Sequence, residues 1–418
     1  MQVPTLEDIR TARTRIAPYV VETPLRRWEY LRRKLGFEAP TFLKLETFQN
    51  TGSFKVRGAA NKILALVQEG KTARHFVAAS AGNHAQAVAF VAGRLGLKST
   101  IVMPEGTPLV KAAATADYGA DVVLHGAVYD DAYARACEIQ AASPGAAYIH
   151  AYADPLVMAG QGTAGLEIHE QLLAQGIAID SPLQVVVPIG GGGLIGGVGS
   201  ALRALRPAAK IFGVVSHAAD AMALSLKAGK IVAPAKGRTR TLAEGLAVKS
   251  VSELTFPVLQ QIVQDVAVVD DDEVATAIAT LMERGKLVAE GAGAAGVAAL
   301  LAGKLPLDPK VPTVILLCGG NIDMNMVSII LERALSKSRR WLNIQFTVED
   351  KPGELARIAT RIGELRANVL EVVHDRLSQG CAVGFTRIRF RLETRGAEHA
   401  LEIARALEAG GHKTEILP

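Results

Sequence analysis

The stretch "TGSFKVRGA", Thr51 to Ala59, sets one lysine among small, hydroxylic and apolar neighbours instead of among other charges. A lysine at a helix start that snorkels its ammonium to solvent is one reading of Lys55. The other is an amine held away from water, whose pKa falls and whose free base attacks carbonyls or accepts protons. A second stretch, "VVVPIGGGGLIGGVGSAL" (185–202), closes an apolar run at Pro188. It then strings together Gly190, Gly191, Gly192 and Gly193 and resumes as helix near Leu194. Such a loop lets backbone N–H groups converge on a phosphate, with the positive end of a helix dipole behind them. A plain strand-to-helix turn does not need four glycines, each of which adds to the entropy cost of folding. A third stretch, "SAGNHAQ" (80–86), joins Ser80 and Asn83 to the free amides of a helix start, a place for a carboxylate; a capped helix without a ligand explains it as well. In "LCGGN" (317–321), Cys318 follows an apolar run, where a lone cysteine more often packs than reacts.

The elements around these residues alternate. "HFVAAS" (75–80) reads as a strand, "NHAQAVAFVAGRLG" (83–96) as a helix ending at glycine, and "STIVMP" (99–104) as a strand. A helix over 107–119 and a strand over 121–126 follow. This βαβαβ order predicts a parallel sheet covered by helices. A second series runs through a strand at 183–189, the glycine loop and its helix, and a strand at 210–216. It continues with a helix at 271–286 whose first turn is acidic, and a buried strand within 313–321. From Trp341 the order becomes strand (341–349), helix (352–366), strand (369–376), strand (384–393), helix (396–409) and strand (412–417). That βαββαβ unit is ferredoxin-like. The predicted division is a catalytic region over 1–335 and a smaller domain over 341–418.

Bulk properties narrow the class. A chain of 418 residues exceeds one ordinary core, and 49% hydrophobic with 21% charged residues is a globular composition. The net charge of +5 is scattered without a polybasic run, so no nucleic-acid partner is expected. The three cysteines, Cys137, Cys318 and Cys381, are far apart and form neither a disulfide framework nor a CxxC metal spacing. They suit a reducing cytoplasm. The first thirty residues read as no signal peptide, and no apolar segment reaches the roughly 18 residues of a membrane span.

One ligand accounts for the lysine, the phosphate loop, the carboxylate-sized amide nest and the polar strand end together. Pyridoxal phosphate offers an aldehyde to Lys55, a phosphate to the glycines and a ring nitrogen to a strand-end partner, and an amino-acid substrate brings the carboxylate. "SFKVRGA", "SAGNHAQ", "GGGGLIGG", "AGQGT" (159–163) and "LCGGN" together resemble the fold type II pyridoxal-phosphate enzymes, specifically the threonine/serine dehydratases. "DKPGELARIATRIGELRANVLEVVHDR" (350–376) resembles a single ACT domain, an amino-acid-sensing module. The resemblance implies an α/β catalytic region of tryptophan synthase β-like fold, with a small mobile domain of about 50–154 inserted in a larger one, followed by an α+β ACT domain. It implies Lys55 as the lysine that carries the cofactor and later removes the substrate Cα proton. It places Asn83 beside the ring hydroxyl, Gly190 to Gly193 and Leu194 around the phosphate, and Cys318 at the ring nitrogen. Ser80, Ala81, Gly82, Asn83 and His84 would receive the substrate carboxylate. The implied reaction is deamination of L-threonine to 2-oxobutyrate and ammonia, with L-serine as a second substrate. A branched-chain amino acid would act as effector, and the protein would be a homodimer or homotetramer.

Two departures from relatives carry weight. Serine racemases resembling this family place a second serine where this chain has Ala81, which disfavours racemisation. Relatives with a divalent-metal site carry carboxylates where Val215 and Ala221 stand, so no such metal is expected; a monovalent ion on backbone oxygens stays open. Other readings remain at this level. A related dehydratase of serine or 3-hydroxyaspartate is one. Gly191, Gly193 and Gly196 also satisfy GxGxxG, but the next strand ends in Ser216 and His217 without the acidic residue a nicotinamide dinucleotide needs. A non-catalytic amino-acid sensor built on the tail is the third.

Overall fold

The computed structural model describes residues 3–68, 73–233, 240–376, 381–410 and 414–417. It divides into two compact units, Met1–Ile322 and Asp323–Pro418. Among the described residues the strands of the first unit form two sheets. One is parallel and four-stranded, in the order Asp121–Leu124, Lys98–Met103, His75–Ala79, Ala146–Tyr148. The other is six-stranded, in the order Leu25–Arg27, Thr41–Leu45, Thr313–Leu317, Leu183–Pro188, Ala209–Ser216, Val263–Val269. Only its first pair is antiparallel. Its central strands Leu183–Pro188 and Thr313–Leu317 are buried along their whole length, as in parallel sheets covered on both faces.

This strand order positions the site. Thr41–Leu45 and Leu183–Pro188 flank Thr313–Leu317, all three pointing the same way, so their following loops emerge side by side at one edge. Leu45 lies opposite Leu317, which sets Glu46 and Cys318 next to each other. Ligands of open α/β sheets bind at such carboxyl ends, where neighbouring strands are not consecutive in the chain.

The helix Lys55–Gln68 is pinned two residues after its first member. Arg57, wholly buried, donates from Nε and Nη2 to both carboxylate oxygens of Glu46 (2.8 and 2.9 Å). It also donates from Nη1 and Nη2 to those of Glu167 (2.6 and 2.8 Å). Lys44 completes the cluster through Glu167 at 2.6 Å and the Thr23 carbonyl at 2.6 Å. Two cations and two anions, each satisfied by several hydrogen bonds, make such burial tolerable. Glu167 lies in the helix Pro155–Ala174, whose "AGQGT" run has glycines that press against the backbones of Arg57 and Gly197. That helix therefore packs between Lys55–Gln68 and Gly193–Leu205, the two helices that open at the lysine and at the glycine loop.

In the second unit, Trp341–Glu349, Asn368–Asp375, Phe385–Glu393 and Thr414–Leu417 form an antiparallel sheet. Its chain order across the sheet is second, third, first, fourth strand. With the helices Glu354–Glu364 and Ala397–Ala409 this is the ferredoxin-like arrangement. Residues 412–413 of the expected last strand lie outside the described residues. Trp341–Glu349 alternates buried with more open residues, putting Leu342, Ile344, Phe346 and Val348 into a core with Ile358, Ile362, Ile388 and Phe390. The break between units falls before the helix Met324–Lys337, which belongs with the second unit. Two other elements differ from expectation. The helix from Asp271 gives way after Thr280 to a π-helical turn at Leu281–Gly285, and the strand from Thr313 stops at Leu317, leaving Cys318 in the loop. No described helix is long and apolar enough to cross a membrane.

Candidate active site

Lys55 opens its helix from a loop stitched to the end of the central strand. Phe54 donates its N–H to the Cys318 carbonyl (3.0 Å), Ser53 bridges to Gly319, and Gly320 donates to the Gly52 carbonyl (2.9 Å). The Lys55 Nζ donates to the Ala151 carbonyl at 3.0 Å and lies 5.3 Å from the Phe54 ring centroid. The residue as a whole is half-buried. Around the amine, desolvation outweighs the opposing pull of Cys318 and Glu290 and lowers its pKa from 10.5 to about 8. This is the amine held away from water, and the snorkelling reading does not describe it.

The Ala151 carbonyl is held by a turn on His150, whose Nδ1 accepts the N–H groups of Tyr152 (3.2 Å) and Ala153 (2.9 Å). Burial, together with the Lys55 charge, lowers the His150 pKa, which suits an accepting, neutral ring. Tyr152 is the link to the glycine loop. Its ring lies so close over Gly191 that a Cβ there would run into it, and its backbone crowds Gly193. Lys55 and the glycines are thus joined by two consecutive residues, Ala151 and Tyr152.

The loop leaves Pro188 and enters the helix Gly193–Leu205 through Gly192, whose φ of 92° is left-handed and favours glycine. Thr255 Oγ1 anchors it by donating to the Gly191 carbonyl at 2.8 Å. Gly191, Gly192, Gly193 and Leu194 are buried, yet among the described residues no acceptor takes their N–H groups. Buried amides without partners are costly, and four in one helix start form a cradle for an anion. That cradle, beside an amine of lowered pKa, fits a phosphorylated aldehyde.

Asn83 begins the helix Asn83–Arg94. Its Nδ2 donates to Glu290 Oε1 at 2.7 Å, and its Oδ1 accepts from Asn321 Nδ2 at 2.8 Å. Asn321 also donates to the Thr51 carbonyl (2.8 Å), so this amide chain ties Asn83 to the lysine loop. Ser80, Ala81 and Gly82 form the preceding turn, half-buried, with the Gly82 N–H donating to Ser80 Oγ at 3.2 Å. His84 lies under this turn. Its Nε2 bonds the Ile149 carbonyl at 2.7 Å, and burial lowers its pKa to about 3. Its ring is a buried structural group, and what it adds to the turn is backbone. Cys318 is buried, and desolvation raises its pKa well above the thiol value, so it is a neutral thiol.

The structure gathers Lys55, Asn83 and Cys318 around one group of loops, with the glycines joined to them through Tyr152. Sequence reasoning missed His150, Tyr152, Glu290 and Asn321. "IHAYADP" and "AEGAGA" carried a signal, since polar residues sit just before a helix in each.

Known proteins resemble this chain over most of its length. The model of the family described as "Pyridoxal-phosphate dependent enzyme" matches residues 16–319. The L-threonine ammonia-lyase of Geobacter sulfurreducens is 44% identical over 409 residues, 98% of each chain. The L-threonine dehydratase catabolic TdcB of Escherichia coli is 42% identical over 328 residues, 78% of this chain and 95% of that one. The crystal structure of the T.th. threonine deaminase superposes with a TM-score of 0.70 at 40% identity, covering 77% of this chain and 99% of the other. A buried amine, a cradle of free amides and a family match across both place the chain among the pyridoxal-phosphate dependent enzymes.

Proposed function

We propose that the chain is a carbon–nitrogen lyase that deaminates L-threonine to 2-oxobutyrate and ammonia, and L-serine to pyruvate. The observation that carries a lyase site is the lowered-pKa amine of Lys55, bonded to Ala151, one residue from the Tyr152 ring that packs against Gly191 of the glycine loop. The choice of threonine rests on the full-length likeness to the Geobacter sulfurreducens L-threonine ammonia-lyase.

When bound, pyridoxal phosphate supplies an electron sink that acidifies the substrate Cα–H. In this reading Gly190 to Gly193 and Leu194 would hold the phosphate, Asn83 the ring hydroxyl and Cys318 the ring nitrogen. A thiol kept neutral by burial would keep its own proton and not transfer it to that nitrogen. Lys55, with a pKa of about 8, is roughly one-tenth free base at pH 7, far more than an ordinary lysine, and accepts the Cα proton. Ser80 to His84 orient the carboxylate through the turn's amides. The overall change balances as loss of the Cα proton and β-hydroxyl as water, then hydrolysis of the released enamine to 2-oxo acid and ammonia. Ala81 has no exchangeable side-chain proton, which argues against racemisation.

Residues 1–335 are proposed as the catalytic region, with a small mobile domain of about 50–154, and 341–418 as an ACT-like regulatory domain. The four-stranded parallel sheet between His75 and Tyr148, and the ferredoxin-like order of the second unit, support this division. The Escherichia coli relative, matched over 95% of its length by 78% of this chain, supports the same split. A branched-chain amino acid, isoleucine or valine, is the proposed effector, in a cytoplasmic homodimer or homotetramer.

The test is 2-oxo-acid release from threonine, serine and 3-hydroxyaspartate, with and without isoleucine or valine, together with borohydride trapping of the cofactor. Threonine is expected to be turned over best, with the adduct on Lys55. A colourless protein without an adduct rejects the lyase; preference for hydroxyaspartate rejects the substrate.

A further inference from the structure

Glu290 stands at the N-cap of the helix Gly291–Leu301 in extended geometry (φ −73°, ψ 169°), yet its side chain caps nothing. An N-cap carboxylate ordinarily bonds the first amides of its own helix. Here the carboxylate turns away, and its Oε1 accepts from Asn83 Nδ2 at 2.7 Å. Its backbone N–H donates to the Gly319 carbonyl (3.1 Å), and Gly319 passes so close that a Cβ would strike Oε1. The other end of the Asn83 amide is spent on Asn321. An amide nitrogen carries two N–H groups, so one donor remains for the cleft.

Resting on the proposed place of Asn83 beside the cofactor ring, we infer that Glu290 is the positioning residue that makes Asn83 a hydrogen-bond donor to the cofactor. The state of its carboxyl then sets how strongly that donor is held. An ionised Glu290 only accepts, and locks the amide. A neutral one competes with its own O–H for the same direction, and loosens it.

The groups around the carboxyl make both states accessible near neutrality. Burial is the largest influence and raises its pKa to about 7, with the Glu244 charge adding to the rise. The Asn83 bond, Lys111 of the helix Leu109–Ala116 and Lys55 pull the other way. Cys318 beside it is a neutral thiol.

The test uses full-length protein loaded with pyridoxal phosphate, as wild type, Glu290→Gln and Glu290→Ala. Cofactor absorbance is titrated between about pH 5 and about pH 9, and cofactor affinity is measured by reconstitution. Wild type should show a spectral inflection near pH 7. Glu290→Gln keeps an acceptor for Asn83, so its affinity should stay within about threefold while the inflection disappears. Glu290→Ala should weaken the cofactor by about tenfold, and adding Asn83→Ala should cost little more because the two act as one unit. An inflection that survives in Glu290→Gln, or unchanged affinity in Glu290→Ala, overturns the inference. Borohydride trapping separates the levels: an adduct on Lys55 with indifferent Glu290 variants defeats this inference alone, whereas no adduct defeats the active-site reading beneath it.

Discussion

Lys55 and His84 show the same force acting on two cations, with opposite uses. Burial lowers the lysine to about 8, where a free amine is chemically useful, and lowers the histidine to about 3, where it is neutral near physiological pH. Each has a pH signature. Between about pH 6.5 and about pH 3 the unfolded chain protonates His84 while the folded one does not, so folded stability falls as the solution is acidified. His84→Gln should flatten that acid limb in a plot of Tm against pH. For Lys55 in the cofactor-free protein, the cost of burying the ammonium is complete below about pH 8 and fades towards the ordinary 10.5. Lys55→Met should therefore melt higher than the wild type below pH 8, with the gap closing on the alkaline side. In the loaded enzyme, Lys55→Ala should abolish the borohydride adduct and lower kcat by about a thousandfold, the usual scale for a lost general base.

At the scale of elements, the two helices that matter begin at the site and are steadied away from it. Arg57 fixes the first against Glu46 and Glu167 without touching the cleft chemistry. Arg57→Ala takes the cation from buried Glu46 and leaves Glu167 with Lys44 alone, and should destabilise the fold by about 3–5 kcal/mol, read from chemical denaturation. The second helix depends on Gly191 and Gly192. Gly191→Ala puts a methyl group into the Tyr152 ring and should release pyridoxal phosphate at least about tenfold more readily, measured by equilibrium dialysis. Most strand and helix cores were legible because their periods and breakers are local: "STIVMP" became Lys98–Met103 and "KIFGVVS" became Ala209–Ser216. The π-helical turn after Thr280 was not, since nothing local marks where a helix loosens.

For the whole molecule, the compact break at Ile322/Asp323 separates a unit that contains every proposed catalytic residue from one that contains none. Removal of 341–418 should leave threonine turnover in place and abolish the response to isoleucine or valine; a truncated protein that still responds would move the effector site into the first unit. The residues of the candidate site were legible in the sequence where each sits in a chemically odd run: a lone lysine after Ser53 and Phe54, four glycines after Pro188, an asparagine at a helix start. Their neighbours were not. Ala151 and Tyr152 bridge Lys55 to Gly191 across about a hundred residues, and Glu290 and Asn321 reach Asn83 from two other loops. By itself the sequence determined the periodic elements, the free helix-start amides and the candidate side chains, because these depend on the nearest few residues. Only the tertiary structure decided which amine loses its water, which carboxyl holds Asn83 and which strands bring their loops together. Desolvation and hydrogen bonding are set by what packs nearby in space, and chain distance carries no record of that.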